Sequence, residues 1–209
     1  MEIDPSALDR TAAYRLLTTA LVPRPVAWVG TRSSAGVDNL APFSYFMGVS
    51  TTPLLVAFSA ARQRDGARKH TARNLLDTGV CTLSIPEQAD LDVMHASSAA
   101  WDGSEFEALE LARVDGSVVA APRPAQVRVC MEGRLHQHLD LGQVDLFLVE
   151  VVHFHVEDAL WKNGIVDPHG FDPVARMGGE FYAALGARHP RAPATVASRP
   201  NDLASRRTE

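Results

Sequence analysis

At 209 residues, 46% of them hydrophobic and 22% charged, the chain has the length and composition of a soluble globular protein with one sizeable core. Its formal net charge of −5, with acids and bases mixed along the chain, leaves no electrostatic footprint for nucleic acid. No run approaches the roughly 20 apolar residues of a membrane helix, and the acidic start MEIDPSALDR lacks the apolar core of a signal peptide, so a cytoplasmic protein is expected.

Residues 25–31 (PVAWVGT) read as a strand and 33–39 (SSAGVDN) as a turn. The next run opens Asn39-Leu40-Ala41-Pro42-Phe43-Ser44, where a proline removes a backbone donor that a strand would use. Residues 54–60 (LLVAFSA) and 80–85 (VCTLSI) are short apolar runs suited to buried strands. Between them, Ala72, Leu75 and Leu76 fall at helical spacing, with Gly79 placed as the stop. Short helices are predicted at 91–96 and 105–111.

The strongest strand pattern comes late, at 126–139 and 144–157, separated by a turn containing Asp140 and Gly142. In the second, Val144, Leu146, Leu148, Val152, Phe154 and Val156 share one face by alternation. Glu150 interrupts that face and predicts a bulge or an inward carboxylate. A helical pattern returns at 179–185. From 187 to 209 the chain is rich in Pro, Arg and Ser without apolar periodicity, and a disordered tail is expected there. Antiparallel strands with only short helices between them predict a barrel, in one domain over residues 1–186.

The dinucleotide fingerprint, the phosphate loop, the nucleophile elbow and the HExxH zinc motif are all missing. Cys81 and Cys130 stand singly in apolar runs, the pattern of buried packing in a reducing compartment. His136 with His138, and His153 with His155, are i,i+2 pairs on predicted neighbouring strands. Four imidazoles converging would suit zinc, whereas an outward barrel face accepts histidines freely; with no Cys or carboxylate pattern to complete a site, no metal is expected. Trp28, Trp101 and Trp161 read as core or interface residues.

The segments RPVAWVGT, NLAPFSYF, Ser50-x-x-Pro53 and Lys69-x-Thr71-x-x-Asn74, followed by EFE, LHQHLDLG, VVHFHVED and RMGGEFY, together resemble the flavin reductase-like family of FMN-binding split barrels. The match keeps its order from Tyr14 to Leu185. It implies a mainly β, six-stranded antiparallel Greek-key barrel, a homodimer, and FMN near the dimer interface. It also implies NADH or NADPH as electron donor and a partner oxygenase or other acceptor, with the reactive atom supplied by flavin and no catalytic side chain. An FMN-holding electron carrier without nicotinamide activity stays open as the alternative reading, as does a non-enzymatic or metal-binding barrel using its histidine face.

Site residues follow from that resemblance and from the demands of FMN. Small residues at Ala41, Pro42, Phe43 and Ser44, with Trp28 and Asn39 nearby, would let main chain approach the flat ring; an edge strand carrying a proline bulge is the competing reading. Lys69, Thr71 and Asn74, at the start of a helix, suit the phosphate, although without the resemblance the same residues read as a solvated helix face. Lys69→Ala and Asn74→Ala are expected to weaken FMN binding with the fold intact. Thr31 and Ser59 offer hydroxyls to phosphate or ribityl, or serve as ordinary caps. Arg176, Gly178 and Tyr182 match the C-terminal motif that closes over the cofactor, and Trp101 is placed to border a partner's flavin. The chain departs from the family at His70, where an aspartate is usual, and at Gly30, where many members carry serine.

Overall fold

The computed structural model describes residues 1–189; of the expected disordered tail, positions 190–209 lie outside the described residues. Helix α1 (Arg10–Ala20) begins at Asp9, whose carboxylate accepts from the amide of Ala12 at 2.7 Å. The chain continues through β1 (Arg24–Pro25), β2 (Ala27–Arg32), β3 (Asp38–Phe43), β4 (Phe46–Thr51), β5 (Leu54–Ala61), α2 (His70–Thr78) and β6 (Val80–Ser84). Helices α3 (Leu91–Ala96) and α4 (Glu105–Ala108) precede β7 (Arg113–Asp115) and β8 (Pro122–Pro124). The long hairpin β9 (Val129–Asp140) and β10 (Val144–Val156) follows, then β11 (Trp161–Lys162), β12 (Ile165–Val166), β13 (Ala175–Arg176) and β14 (Tyr182–Ala183).

The main sheet has seven antiparallel strands in the order β3-β2-β6-β9-β10-β5-β4, one more than expected. Its edge strands β3 and β4 are nevertheless joined by two residues, Ser44 and Tyr45. So short a link spans at most about 10 Å, so the sheet must curl until its edges meet. They meet without a ladder, which makes the barrel split. Side chains bridge the gap instead: the rings of Phe43 and Phe58 lie 5.1 Å apart, and Phe58 is 5.3 Å from Phe147.

Two cores result. The barrel interior holds Ala27, Val29, Phe43, Phe58, Leu83, Phe147 and Val149. A second core, on the outer side of β2, packs Trp28 and Leu40 against Met94, Phe106 and Val174. Val29 and Trp28 are neighbours in one strand, and alternation sends them into different cores.

The interior face of β10 is Asp145, Phe147, Val149 and Val151, not the even-numbered set. Alternation defines two faces, but the packing of Phe147 on Phe58 selects the inner one. Register shifts do flank Glu150, between Leu148 and Val149 and again between Val151 and His153, while Glu150 itself faces outward. The helix predicted over 179–185 is replaced by the β13–β14 turn, with Gly179 at φ 65 and the amide of Met177 donating to Phe181 O at 2.9 Å. Two successive glycines are poor helix formers and good turn formers. The helix expected at 105–111 stops at Ala108. Trp161 is exposed on β11, not core. Cys81 and Cys130 are buried and free. Among the described residues no helix is long and apolar enough to cross a membrane.

Candidate functional site

Leu40 N–H points away from β2, because it donates to Glu105 Oε2 at 2.8 Å. Two residues on, Pro42 therefore turns its missing donor to the same free edge of β3, where no ladder bond is lost. The segment is a true edge strand without a bulge, and its proline keeps further strands from pairing there. Beside this edge lies a cavity of about 400 Å³. Asn39 and Ala41 of β3 line one side, Lys69, His70 and Thr71 of the α2 start another, and residues 97–102 with Glu105 the third.

The α2 end is built for an anion. Lys69 takes the N-cap position in extended conformation but makes no side-chain cap bond. A serine or aspartate there would satisfy the first-turn amides; lysine leaves them available and adds a positive charge. Below the rim, Asn39 Nδ2 donates to Thr71 Oγ1 at 2.8 Å and to Thr31 Oγ1 at 3.3 Å, and Asn74 Nδ2 donates to Thr31 Oγ1 at 3.1 Å. All four residues are buried. Thr31 and Asn74 thus support the wall that Asn39 and Thr71 form.

The loop that brings Lys69 to the rim is tied down by charge. Asp145, buried at the start of β10, receives Arg68 Nε at 3.1 Å, Arg62 Nη2 at 3.3 Å and His138 Nε2 at 2.8 Å. Burial pushes its carboxyl upward, and the bonds from His138 and the two arginines outweigh that and hold it below the ordinary aspartate range. Glu105 is the opposite case: burial raises its carboxyl above the usual range, only partly offset by the Leu40 amide and its own backbone.

Of the remaining sequence-derived candidates, only Trp101 is on the cavity wall. Trp28 is buried in the second core, its indole N–H donating to Ser97 Oγ at 2.9 Å, so it backs a lining residue. Phe43 points into the barrel. Ser44 accepts from Arg24 Nε at 3.5 Å, and Arg24 also donates to the carbonyls of Thr18, Leu21 and Met177. Ser59 lies on β5 on the face opposite Phe58. Arg176, Gly178 and Tyr182 form a separate cluster at the β13–β14 hairpin: the guanidinium sits 4.5 Å over the Tyr182 ring, and Tyr182 Oη is 3.2 Å from His95 Nδ1. Trp101 does line the cavity, its indole N–H donating to Ala96 O at 3.1 Å. Gln63, residues 97–100, Asp102 and Glu105 were not anticipated as site residues; the EFE motif was the one available signal for Glu105. Gly30 faces the Pro122 carbonyl on the outer side of β2, so a side chain there would not enter the cavity.

The two histidine pairs do not converge. His138 goes to Asp145, while His155 goes to Glu132, a buried carboxylate of β9.

Fold and cavity together define a split antiparallel barrel with a polar pocket at its open edge, uncapped and cationic at one end. The chain belongs to the flavin reductase-like family: the flavin reductase like domain matches residues 19–170. An uncharacterized protein of Halalkalibacterium halodurans is 34% identical over 194 residues, 89% of this chain and 93% of its own length. The crystal structure of nitrilotriacetate monooxygenase component B from Bacillus cereus is 31% identical with a TM-score of 0.88, covering 91% of this chain and 98% of that one. 2-Nitrobenzoate 2-nitroreductase of Pseudomonas fluorescens, 23% identical, has the same fold, with a TM-score of 0.88 over 96% of this chain and 100% of its own.

Proposed function

We propose that the protein binds FMN in the β3-edge cavity and works as an NAD(P)H-dependent flavin reductase, delivering electrons to a partner or acceptor. The observation that carries this reading is the uncapped, lysine-bearing start of α2 opening into a cavity of about 400 Å³, a size within the roughly 300–1,000 Å³ of small-molecule sites. The donor set fits the cofactor. Lys69, Thr71 and the first-turn amides would hold the phosphate, with Asn39 next to them. Ala41 lets the β3 backbone approach a flat ring.

When bound, flavin supplies the redox chemistry, taking hydride from a nicotinamide and passing electrons on. The chain's own residues bind and orient. Glu105 holds the Leu40 amide and so fixes the position of β3 beside the ring. Thr31 and Asn74 fix the rotamers of Asn39 and Thr71 from below. Trp101 and residues 97–100 wall the third side.

A partner oxygenase is supported by the likeness to a monooxygenase component B. A homodimer is supported by the apolar side chains left exposed on α1 and β4, among them Tyr14, Leu17, Met47 and Val49. Two free buried cysteines suit a cytoplasmic setting.

The test is a visible absorption spectrum of the purified protein loaded with FMN, followed by anaerobic NADH and then NADPH. Prompt bleaching by either is the expected result, and the faster one names the donor. A flavin spectrum that persists until dithionite is added would turn the assignment to an electron carrier. Failure to retain FMN would overturn the cavity assignment.

A further inference from the structure

Glu132 stands on β9 directly across from His153 of β10, and the register shift between Val151 and His153 creates that pairing. His155, two residues on, shares the face of His153; its Nε2 lies 2.5 Å from Glu132 Oε1, and the two imidazole centroids are 4.8 Å apart. One ligand atom from each of the three residues lies within 4.8 Å of the others. This face is on the outer side of the barrel, away from the β3-edge cavity.

We propose that Glu132, His153 and His155 form a binding site for a divalent transition-metal ion of the zinc class. Two imidazoles and one carboxylate are a ligand set that zinc accepts, with bonds of about 2.0–2.2 Å and open positions filled by water. The carboxylate is already oriented. Its Oε1 accepts from Ser117 N at 2.5 Å, and its Oε2 accepts from Val118 N and Val119 N, each at 2.8 Å. Gly116 allows this approach, since a Cβ there would come within 2.9 Å of Glu132 Oε2. Those amides occupy three of the four lone-pair positions, and the fourth holds the proton shared with His155. The metal takes the place of that proton, which moves to His155 Nδ1 or to solvent, while the Glu132–His155 pair opens to about 3 Å. His153 supplies the third bond. Both imidazoles are only part-buried, which gives an entry path, and Glu132 is the oriented buried anchor that makes the site selective.

The metal would brace the segment 116–119 against β9 through Glu132. That segment runs into β8, whose Pro122 carbonyl accepts from Thr82 Oγ1 at 2.6 Å and packs on Gly30. The ion would therefore act on stability and on the outer wall of β2, without touching a reacting group.

The test uses untagged full-length protein, stripped with EDTA and equilibrated against zinc chloride, with bound metal measured by elemental analysis. One zinc per chain is expected at micromolar free zinc. The His153 side chain makes no hydrogen bond to another described residue, so His153→Ala should fold normally; its zinc affinity should fall at least about tenfold. His136→Ala, on the other histidine pair, should bind zinc as the parent does. Absence of zinc in the parent, unchanged affinity in His153→Ala, or loss in His136→Ala would each overturn the site. Glu132→Gln is the weaker probe, because a buried amide facing three N–H groups threatens the fold itself.

Discussion

Asn39 Nδ2 donates to Thr71 Oγ1 across 2.8 Å, and this bond ties the edge strand of the barrel to the start of α2. Through Thr31 it continues to Asn74, and none of the four side chains is more than 7% exposed. Lys69, one residue before the helix, is exposed. The two residues expected to behave alike in FMN binding must therefore behave differently in folding. Lys69→Ala should weaken FMN about tenfold with an unchanged melting temperature, as for a lost charge-assisted contact. Asn74→Ala removes the shorter of the two bonds to the buried Thr31 hydroxyl and should cost about 1 kcal/mol of stability as well. Fluorescence titration of FMN and thermal melts of both variants check this; unchanged affinity in Lys69→Ala would remove the phosphate from α2.

This division also marks how far the sequence was legible. Lys69, Thr71, Asn39 and Ala41 were readable because motif and spacing place them on one helix start and one strand. Burial was not readable: a polar segment such as GARKHTARN gives no sign that Asn74 faces Thr31, 43 residues earlier. Nor was the third wall, because Glu105 reaches Leu40 across 65 residues and through the second core. Helix α1 escaped notice for a different reason. It buries only Thr18, so it has no apolar stripe turned toward a core of this chain. The faces of β10 were inverted because alternation is symmetric, and only Phe58 on the neighbouring strand decides which side is inner.

Gly30 provides a prediction about family departures. A Cβ on this residue would lie 2.0 Å from the Pro122 carbonyl oxygen and 2.5 Å from Thr82 Oγ1. The carbonyl is backbone and cannot rotate away. Gly30→Ser should therefore destabilise by about 1–3 kcal/mol or more, as overpacking does, without improving flavin affinity. A melt and an FMN titration decide; a tighter-binding, equally stable serine variant would mean that the side chain turns into the cavity.

Glu105 makes a prediction in pH. Burial raises its carboxyl pKa above the unfolded value, against the partial opposition of the Leu40 amide. Its contribution to stability is then fully present below the unfolded pKa, near 4.3, and is lost as pH rises through the folded pKa. Glu105→Gln keeps an acceptor for Leu40 and removes the ionisation. The variant should match the parent at about pH 4 and gain on it as pH rises above that, levelling off once the folded-state carboxyl has ionised. Melts of both proteins over that range test it, and a difference independent of pH would place Glu105 in contact with solvent.

Asp145 works in the opposite direction. Its carboxyl is held below the usual range because the bonds from His138, Arg68 and Arg62 outweigh burial. Its stabilisation is present above the unfolded aspartate pKa, near 3.9, and fades as pH falls through the lower folded value. Asp145→Asn leaves Arg62 and Arg68 with Asp140 as their remaining carboxylate partner and should cost about 1–3 kcal/mol at neutral pH, as for a lost buried hydrogen-bond acceptor. That cost should shrink on acidification, as the parent's own carboxylate takes up its proton. The same arginines flank the loop that carries Gln63 and Lys69 to the cavity, so FMN affinity should fall along with stability. Denaturant midpoints at pH 7 and at a pH below the ordinary aspartate value of about 3.9, with FMN titrations under conditions where both proteins are folded, separate the two effects. A stability loss that left FMN affinity untouched would show that the loop keeps its place without Asp145, and that Lys69 is positioned by α2 alone.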